Sequence, residues 1–359
     1  MNEKREKAIG PKDQTWAGRN SSFELLRLIL MCFIIIHHIV FIGVGLKDIT
    51  NSNVDTILRE KDFLFFCIIN CFCIPAVNIF VLISGYFEIK SRIKKTVSLL
   101  ISMIFYTIAF TVPYLLFTGD YFHALTSLSV LSHSPYWFLI DYLFLMLFTP
   151  LLNMMFMTSN KKNIHFFIIG LLVISTYFGF VWGHPANSNG YTLLQFIMLY
   201  CIGRYIRVYE IRLRKKWISF ILYIACSVLC GYGMYWLHAF GYNKFVRHLS
   251  YYNNPLLIIS SISLLLFFKE IKFHSKFINK LAESSLSVYL FSCSKFFWLF
   301  VFPLIPLLYI EAPSILAFAG EVVIFTFITL VVSIGINQLQ LKINKPLTGW
   351  ICNRLRWRE

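Results

Sequence analysis

Apolar residues run through this chain in blocks too long and too uniform for the core of a soluble domain. Phe63 to Phe87 carries no charged residue, and neither does Thr96 to Gly119. Such runs reach the roughly 20 helical residues needed to cross a hydrocarbon layer of about 30 Å. Strands facing lipid alternate apolar and polar positions, whereas these runs are apolar on every face. A bilayer also offers no water to the backbone, so a spanning segment of this kind must be helical. The pattern predicts an all-α, polytopic integral membrane protein of about ten transmembrane helices. They lie near 23–43, 64–88, 96–117, 136–157, 164–182, 191–206, 217–237, 250–268, 285–303 and 314–336.

The polar breaks between these blocks carry charge in an alternating way. With the N-terminus placed in the cytoplasm, the cytoplasmic segments hold 26 of the 33 Lys and Arg residues and the external segments hold 5. That asymmetry is the positive-inside pattern, and it predicts that both termini are cytoplasmic. It also divides the chain into a cytoplasmic segment 1–22, a transmembrane domain 23–336 and a basic cytoplasmic tail 337–359. The first apolar block has no small-residue cleavage site behind it, so no cleaved signal peptide is expected.

Composition sharpens this picture. Only 14% of residues are charged, against the roughly one quarter of a soluble domain, while 58% are apolar. The formal charge of +16 would suggest nucleic acid in a soluble protein. Here the basic residues are accounted for by topology, and no nucleic-acid partner is expected; the expected surroundings are membrane lipid. Most of the nine cysteines fall inside spans, where a thiol packs as a small apolar group. Cys71 and Cys73, one residue apart, do not have a usual zinc spacing, so no metal site is expected.

Ionisable groups inside a span are costly and mark candidate sites. The first span is the richest. Arg27 and His38 are 11 residues apart. That spacing returns to within about 20° of the same helix face, roughly 16 Å further along the axis. Glu24 lies close to the same line, so Glu24, Arg27 and His38 form a polar stripe running inward from the cytoplasmic edge. His37 is rotated by about 100° from His38 and is the weaker candidate. A histidine can take a proton from a hydroxyl, and a guanidinium can bind phosphate in a forked geometry. Structurally, the same stripe can be an interfacial ion pair with a buried hydrogen-bonding histidine. Lys90, Arg92, Lys94 and Lys95 follow the second span. They read as an ordinary cytoplasmic loop or as contacts to a phosphate-bearing donor. Ser84 ends the second span, and Tyr136, Trp137 and Asp141 open the fourth. These four are candidate substrate-binding residues, with Asp141 either pairing with His38 or binding the acceptor. Lys295 and Glu321, in the last two spans, are expected to pair structurally.

Taken in order, these elements resemble the acyltransferase family three membrane proteins, bacterial enzymes that O-acylate surface sugars. The Arg, ten residues, then His signature appears as Arg27 and His38. The pattern closing the second span appears as Phe80, Ser84, Gly85, Tyr86 and Phe87, with the basic stretch after it. Further matches are Tyr136 to Leu139 with Thr149 to Asn153, and Tyr200, Gly203, Tyr205, Ile206 and Arg207. The resemblance implies ten transmembrane helices in the bacterial cytoplasmic membrane. It implies an acyl-CoA donor from the cytoplasm and a hydroxyl acceptor on a surface or lipid-linked glycan. His38 would be the catalytic residue and Arg27 would hold the donor. One departure stands out. Relatives often read Val-Tyr-Leu-x-His near the ninth span, and here Ser292 follows Phe291. The hydrolase-like extracytoplasmic domain of some relatives is not expected in this chain.

The expected function is membrane O-acyl transfer from acetyl-CoA to a sugar hydroxyl, with no permanently bound cofactor. His38 would act as base or as transient acyl carrier, and Glu24 would hold Arg27 in place. A transporter or flippase of an anionic glycan precursor is the competing expectation, against which stands the lack of a visible internal repeat. An inactive membrane subunit related to such enzymes is a third, and Ser292 is its only support.

Overall fold

The computed structural model describes residues 20–50, 58–90, 93–119, 121 and 136–355. The described residues are helical and contain no strand, as the uniform apolar runs require. Helix α1 (Ser21–His38) passes into a π-helical turn, Ile39–Gly43. Helices α2 (Glu60–Cys73) and α3 (Ala76–Tyr86) form one span interrupted at Pro75. Then come α4 (Ile93–Thr118), α5 (Trp137–Thr158) and α6 (Lys161–Leu172), the last extended by a π segment to Val181. Helices α7 (Leu193–Val208), α8 (Lys216–Ala239) and α9 (Pro255–Lys269) follow. The chain closes with α10 (Lys276–Ala282), α11 (Ser285–Ser292), α12 (Leu304–Glu311) and α13 (Ile315–Arg354).

Eight helices among the described residues are long and apolar enough to cross a membrane, and a bent pair makes a ninth. This corrects the expectation of about ten spans at two places. The expected span 191–206 is α7, a helix of only 16 residues. Its buried positions run from Gln195 to Ile206, so protein rather than lipid surrounds most of it. A helix enclosed in this way need not match the hydrocarbon thickness. The expected span 285–303 is broken: the segments Lys276–Ser292 and Phe297–Glu311 meet at 66°. The break falls at residues 293–296; further on, Pro303 caps Leu304–Glu311 and Pro306 sits in the first turn of that helix, positions that proline tolerates.

The α2–α3 span lies at the centre, with 78% of its apolar window buried; the window of α13 is 22% buried, so α13 lies at the periphery. Outward-facing side chains such as Phe166, Leu229, Val323 and Phe327 are exposed and apolar, as a lipid-facing surface must be. Lipid gives no hydrophobic drive for helices to pair, so close packing and hydrogen bonds must join them. Both devices are visible. A Cβ on Gly85 of α3 would collide with the Tyr200 carbonyl of α7, and one on Gly203 of α7 would collide with the Leu82 carbonyl of α3. Two glycines thus let the two backbones touch. Elsewhere a polar seam binds α13. Its buried positions Ser333, Asn337, Gln340, Asn344 and Thr348 recur at helical spacing. Asn344 Nδ2 donates to the Ser98 carbonyl and to Ser102 Oγ, each at 2.8 Å. Gln340 donates to Ser102 and Asn337 to Ser284, both at 3.0 Å. This seam carries α13 past its expected end at 336 and keeps it helical to Arg354.

Replacing Gly85 or Gly203 with Ala forces two backbones apart and is expected to cost about 1–3 kcal/mol or more. Gly320→Ala, with nothing within 4 Å of the added carbon, is the control. Thermal unfolding of the detergent-solubilised protein should show a midpoint several degrees lower for the first two and no loss for the third.

Candidate active site

Helix α1 begins at Asn20, whose side chain accepts from the Ser22 backbone N–H at 3.2 Å. Glu24 sits in the first turn, where a carboxylate opposes the positive end of the helix dipole. It accepts from Arg27 Nη1 at 2.8 Å. The glutamate side chain is 8% exposed and that of the arginine 33%, so the pair is anchored at one end and reachable at the other. Pairing a carboxylate this buried avoids leaving an uncompensated charge in a poorly solvated place. At the far end of α1, His37 and His38 fall in the last turn, immediately before the π turn. Such turns shift the register of a helix and are frequent at functional sites.

The stripe faces a cavity of about 360 Å³. Its wall brings together Glu24, Arg27, His38, Ser84 and Trp137 from the expected set. The break at Pro75 supplies the opposite wall through Cys73, Ile74, Ala76 and Val77. A second cavity of about 920 Å³ lies beyond Arg27 and is lined by Lys90, Lys94, Lys95 and Lys345. The two share Arg27, Ser84, Leu99, Tyr142 and Leu286 as a common wall. Ser84 Oγ donates to the Phe80 carbonyl at 2.9 Å and lies 3.2 Å from the Tyr142 hydroxyl. The two cavities thus adjoin at Arg27, with four lysines on one side and the histidines on the other. Arg92 lies outside the described residues.

The segment carrying Lys90 is held by the motif residues of three helices. Tyr200 of α7 donates to Asn153 of α5 at 2.6 Å and accepts from the Ile89 N–H at 3.3 Å. Asn153 in turn donates to the Ile89 carbonyl at 3.1 Å. Glu88 adopts the left-handed region at φ 60°, uncommon without glycine, and pairs with Arg204 at 2.6 Å. Arg207 donates to the Tyr86 hydroxyl at 3.3 Å and lies over its ring. Tyr86, Asn153, Tyr200 and Arg207 thus build the rim of the basic cavity rather than its contents.

Several expected residues are placed elsewhere. Asp141 lines neither cavity, and among the described residues no hydrogen bond or ion pair joins it to His38. On α5, Phe138 and Tyr142 face inward, and Asp141 is turned away from Tyr142 by about 100°. Tyr136 is buried, its ring 6.2 Å from that of Tyr289, and it also lines neither cavity. Lys295 and Glu321 form no ion pair with each other; Glu321 Oε2 is buried without a hydrogen-bond partner among the described residues. Ser292 is buried and its hydroxyl donates to the Tyr289 carbonyl of its own helix at 3.3 Å.

Other residues reach the cavity that spacing alone did not single out. Tyr252 and Tyr289 line it, and so does His37, because the cavity wraps around the end of α1. Lys345 joins the basic cavity because α13 stays helical beyond the membrane block. In the sequence its only signal is one basic residue among several in the C-terminal stretch. His38 Nδ1 is buried with no hydrogen-bond partner among the described residues, and its ring lies 5.7 Å from that of His37 and 6.3 Å from that of Phe302.

Residues 20–338 match a family model described as an acyltransferase domain, Acyl_transf_3. That span is most of the chain, and the protein belongs to this membrane acyltransferase family. Comparison with curated proteins and with solved structures found no match.

Proposed function

We propose that this member of the acyltransferase family is an O-acyltransferase of the bacterial cytoplasmic membrane that moves an acetyl group from cytoplasmic acetyl-CoA to a hydroxyl of a surface polysaccharide or lipid-linked glycan. The adjacency of the lysine-lined cavity and the His38 cavity carries this reading, the side chains they share at Arg27, Ser84 and Tyr142 being the neck through which the donor would reach the histidine. The phosphates of the donor sit among Lys90, Lys94, Lys95 and Lys345. Lysines serve there as mobile point charges. Arg27, oriented by Glu24, offers a fork to a phosphate oxygen at the neck. The acyl arm passes Ser84 and Tyr142 into the inner cavity. The acceptor lies against Trp137 in that cavity, while Tyr136 and Asp141 support the wall from behind.

Within the inner cavity His38 is the reacting group. It takes the proton from the acceptor hydroxyl as the oxygen attacks the thioester carbonyl. The carbon–sulfur bond then breaks, and the same proton passes to the departing thiolate. An unpaired buried nitrogen costs about 1–3 kcal/mol, a cost that pairing with a substrate group would remove. Family membership favours chemistry over mere passage of an anionic glycan along the same path.

Membranes containing the protein, supplied with acetyl-CoA labelled in the acetyl group and total glycolipid from the source cells, should accumulate base-labile label in the glycan. His38→Ala should lower the rate by about 100-fold or more. Transfer that persists undiminished in that variant sinks the assignment. Arg27→Ala should raise the KM for acetyl-CoA about 10- to 100-fold, since a hydrogen bond to a charged group contributes about 1.5–3 kcal/mol. Ser84→Trp, which fills the neck, should abolish transfer without changing the amount of inserted protein, whereas Ser84→Ala should retain it. High salt should raise the KM for the donor, because the lysines around the outer cavity are exposed to screening.

A further inference from the structure

His37 is fixed more firmly than His38, although only His38 lies on the polar stripe of α1. His37 is buried, and its Nδ1 lies 2.8 Å from Asn70 Oδ1 of α2. The direction of that bond follows from the next two links. Asn70 Nδ2 donates to Ser250 Oγ at 3.1 Å, and the Ser250 hydroxyl spends its only hydrogen on Met234 Sδ at 3.6 Å. Ser250 therefore accepts from Asn70, which turns the amide oxygen of Asn70 toward His37. An oxygen there can only accept, so the neutral imidazole carries its proton on Nδ1 and its lone pair on Nε2. The ring is also stacked on Phe41 at 5.1 Å, which sets its plane. Residues from α1, α2, α8 and the turn before α9 thus cooperate to hold one tautomer. An amide oxygen orienting a histidine in this way is the usual device for presenting the opposite nitrogen to a reacting molecule.

Both histidines line the same cavity, with ring centres 5.7 Å apart. We propose that His37 is a second acceptor-binding group, whose Nε2 accepts a hydrogen bond from the hydroxyl neighbouring the one that is acylated. This rests on the reading above that His38 reacts with an acceptor hydroxyl. The ligand class is a vicinal diol, the arrangement found around a sugar ring, and the pair of histidines selects which of its two oxygens reacts. An acceptor with a single hydroxyl would satisfy His38 and leave His37 Nε2 without its partner.

The test measures transfer to glycolipid with varied acceptor and varied acetyl-CoA, in membranes carrying the wild-type protein, His38→Ala, His37→Asn, His37→Gln or Asn70→Asp. Asparagine can replace only the Nδ1 side of the ring, glutamine can reach the Nε2 position, and Asn70→Asp keeps an acceptor for Nδ1–H. His37→Asn is expected to raise the KM for the acceptor about tenfold, with the KM for acetyl-CoA unchanged and His37→Gln within about threefold of wild type. An unchanged acceptor KM in His37→Asn overturns the proposal. So does a collapse of kcat in both His37 variants to the level of His38→Ala, which would make His37 the reacting base. Absence of transfer by the wild-type protein would instead overturn the acyltransfer reading on which the proposal rests. The tautomer has its own readout. Nitrogen-15 solid-state spectra of the histidines in liposomes, assigned with His37→Asn, should show a protonated Nδ1 that Asn70→Leu releases. An unprotonated Nδ1 at His37 in the wild-type protein overturns the proposal whatever the activity.

Discussion

Hydrocarbon cannot hydrogen-bond, and that single fact orders this molecule. Every polar side chain carried into the apolar layer must turn inward and find a partner there or bear the cost of isolation. The seam of Asn337, Gln340 and Asn344 obeys the rule by turning toward Ser284, Ser98 and Ser102. Glu24 and Arg27 obey it by pairing within one turn of α1. The rule is relaxed at Glu321 and, beside an internal space, at the inner cavity. His38 Nδ1 is buried there without a hydrogen-bond partner among the described residues. Polar groups left unsatisfied beside an internal space are the natural places for a substrate to bind, because the substrate supplies what the protein withholds.

The crossing of α3 and α7 shows how packing and site depend on each other. Gly85 and Gly203 let the two backbones approach, and this closeness sets Tyr200 beneath the segment that follows α3. From there Tyr200 and Asn153 grip Ile89, and Arg204 grips Glu88. Lys90 therefore starts from a fixed point although its own side chain is exposed. Rigid support for a mobile charge suits the binding of a phosphate: the loop need not be ordered at the moment of binding, so less conformational entropy is lost.

Much of this was legible in the sequence, and the limits were physical. Spans showed as long apolar blocks because lipid demands them. The Glu24, Arg27 and His38 stripe followed from helical spacing, which is local and regular. Asp141 misled because its burial depth was readable but its direction around α5 was not: one residue of rotation separates it from Tyr142, which faces the cavity. The short α7 and the broken segment around Phe297 escaped because their neighbours, not their own composition, decide how much lipid they meet. Lys345 escaped because a tail that looks polar becomes a helix once Asn344 finds Ser98 across the interface. His37 was discounted because its angle was measured from the helix axis, whereas the cavity curves around the helix end.

The shape of the inner cavity bears on the hardest demand of the proposed chemistry. A thioester can lose its acyl group to water as readily as to a sugar hydroxyl unless water is kept away. The neck formed by Arg27, Ser84 and Tyr142 is the wall common to both cavities, and the inner wall beyond it is mostly apolar, with Met31, Ile34, Ile74, Val77 and Phe80. A donor arm threaded through that neck would plug it, closing the aqueous side at the moment the acyl group reaches the histidines. Exclusion of water also strengthens each electrostatic contact inside the cavity. In that arrangement the order of events is set by geometry. A donor entering from the lysine side would seal that side, so the acceptor would approach His38 from elsewhere, and the aromatic wall of Trp137 and Tyr252 is the part of the cavity furthest in kind from the basic side.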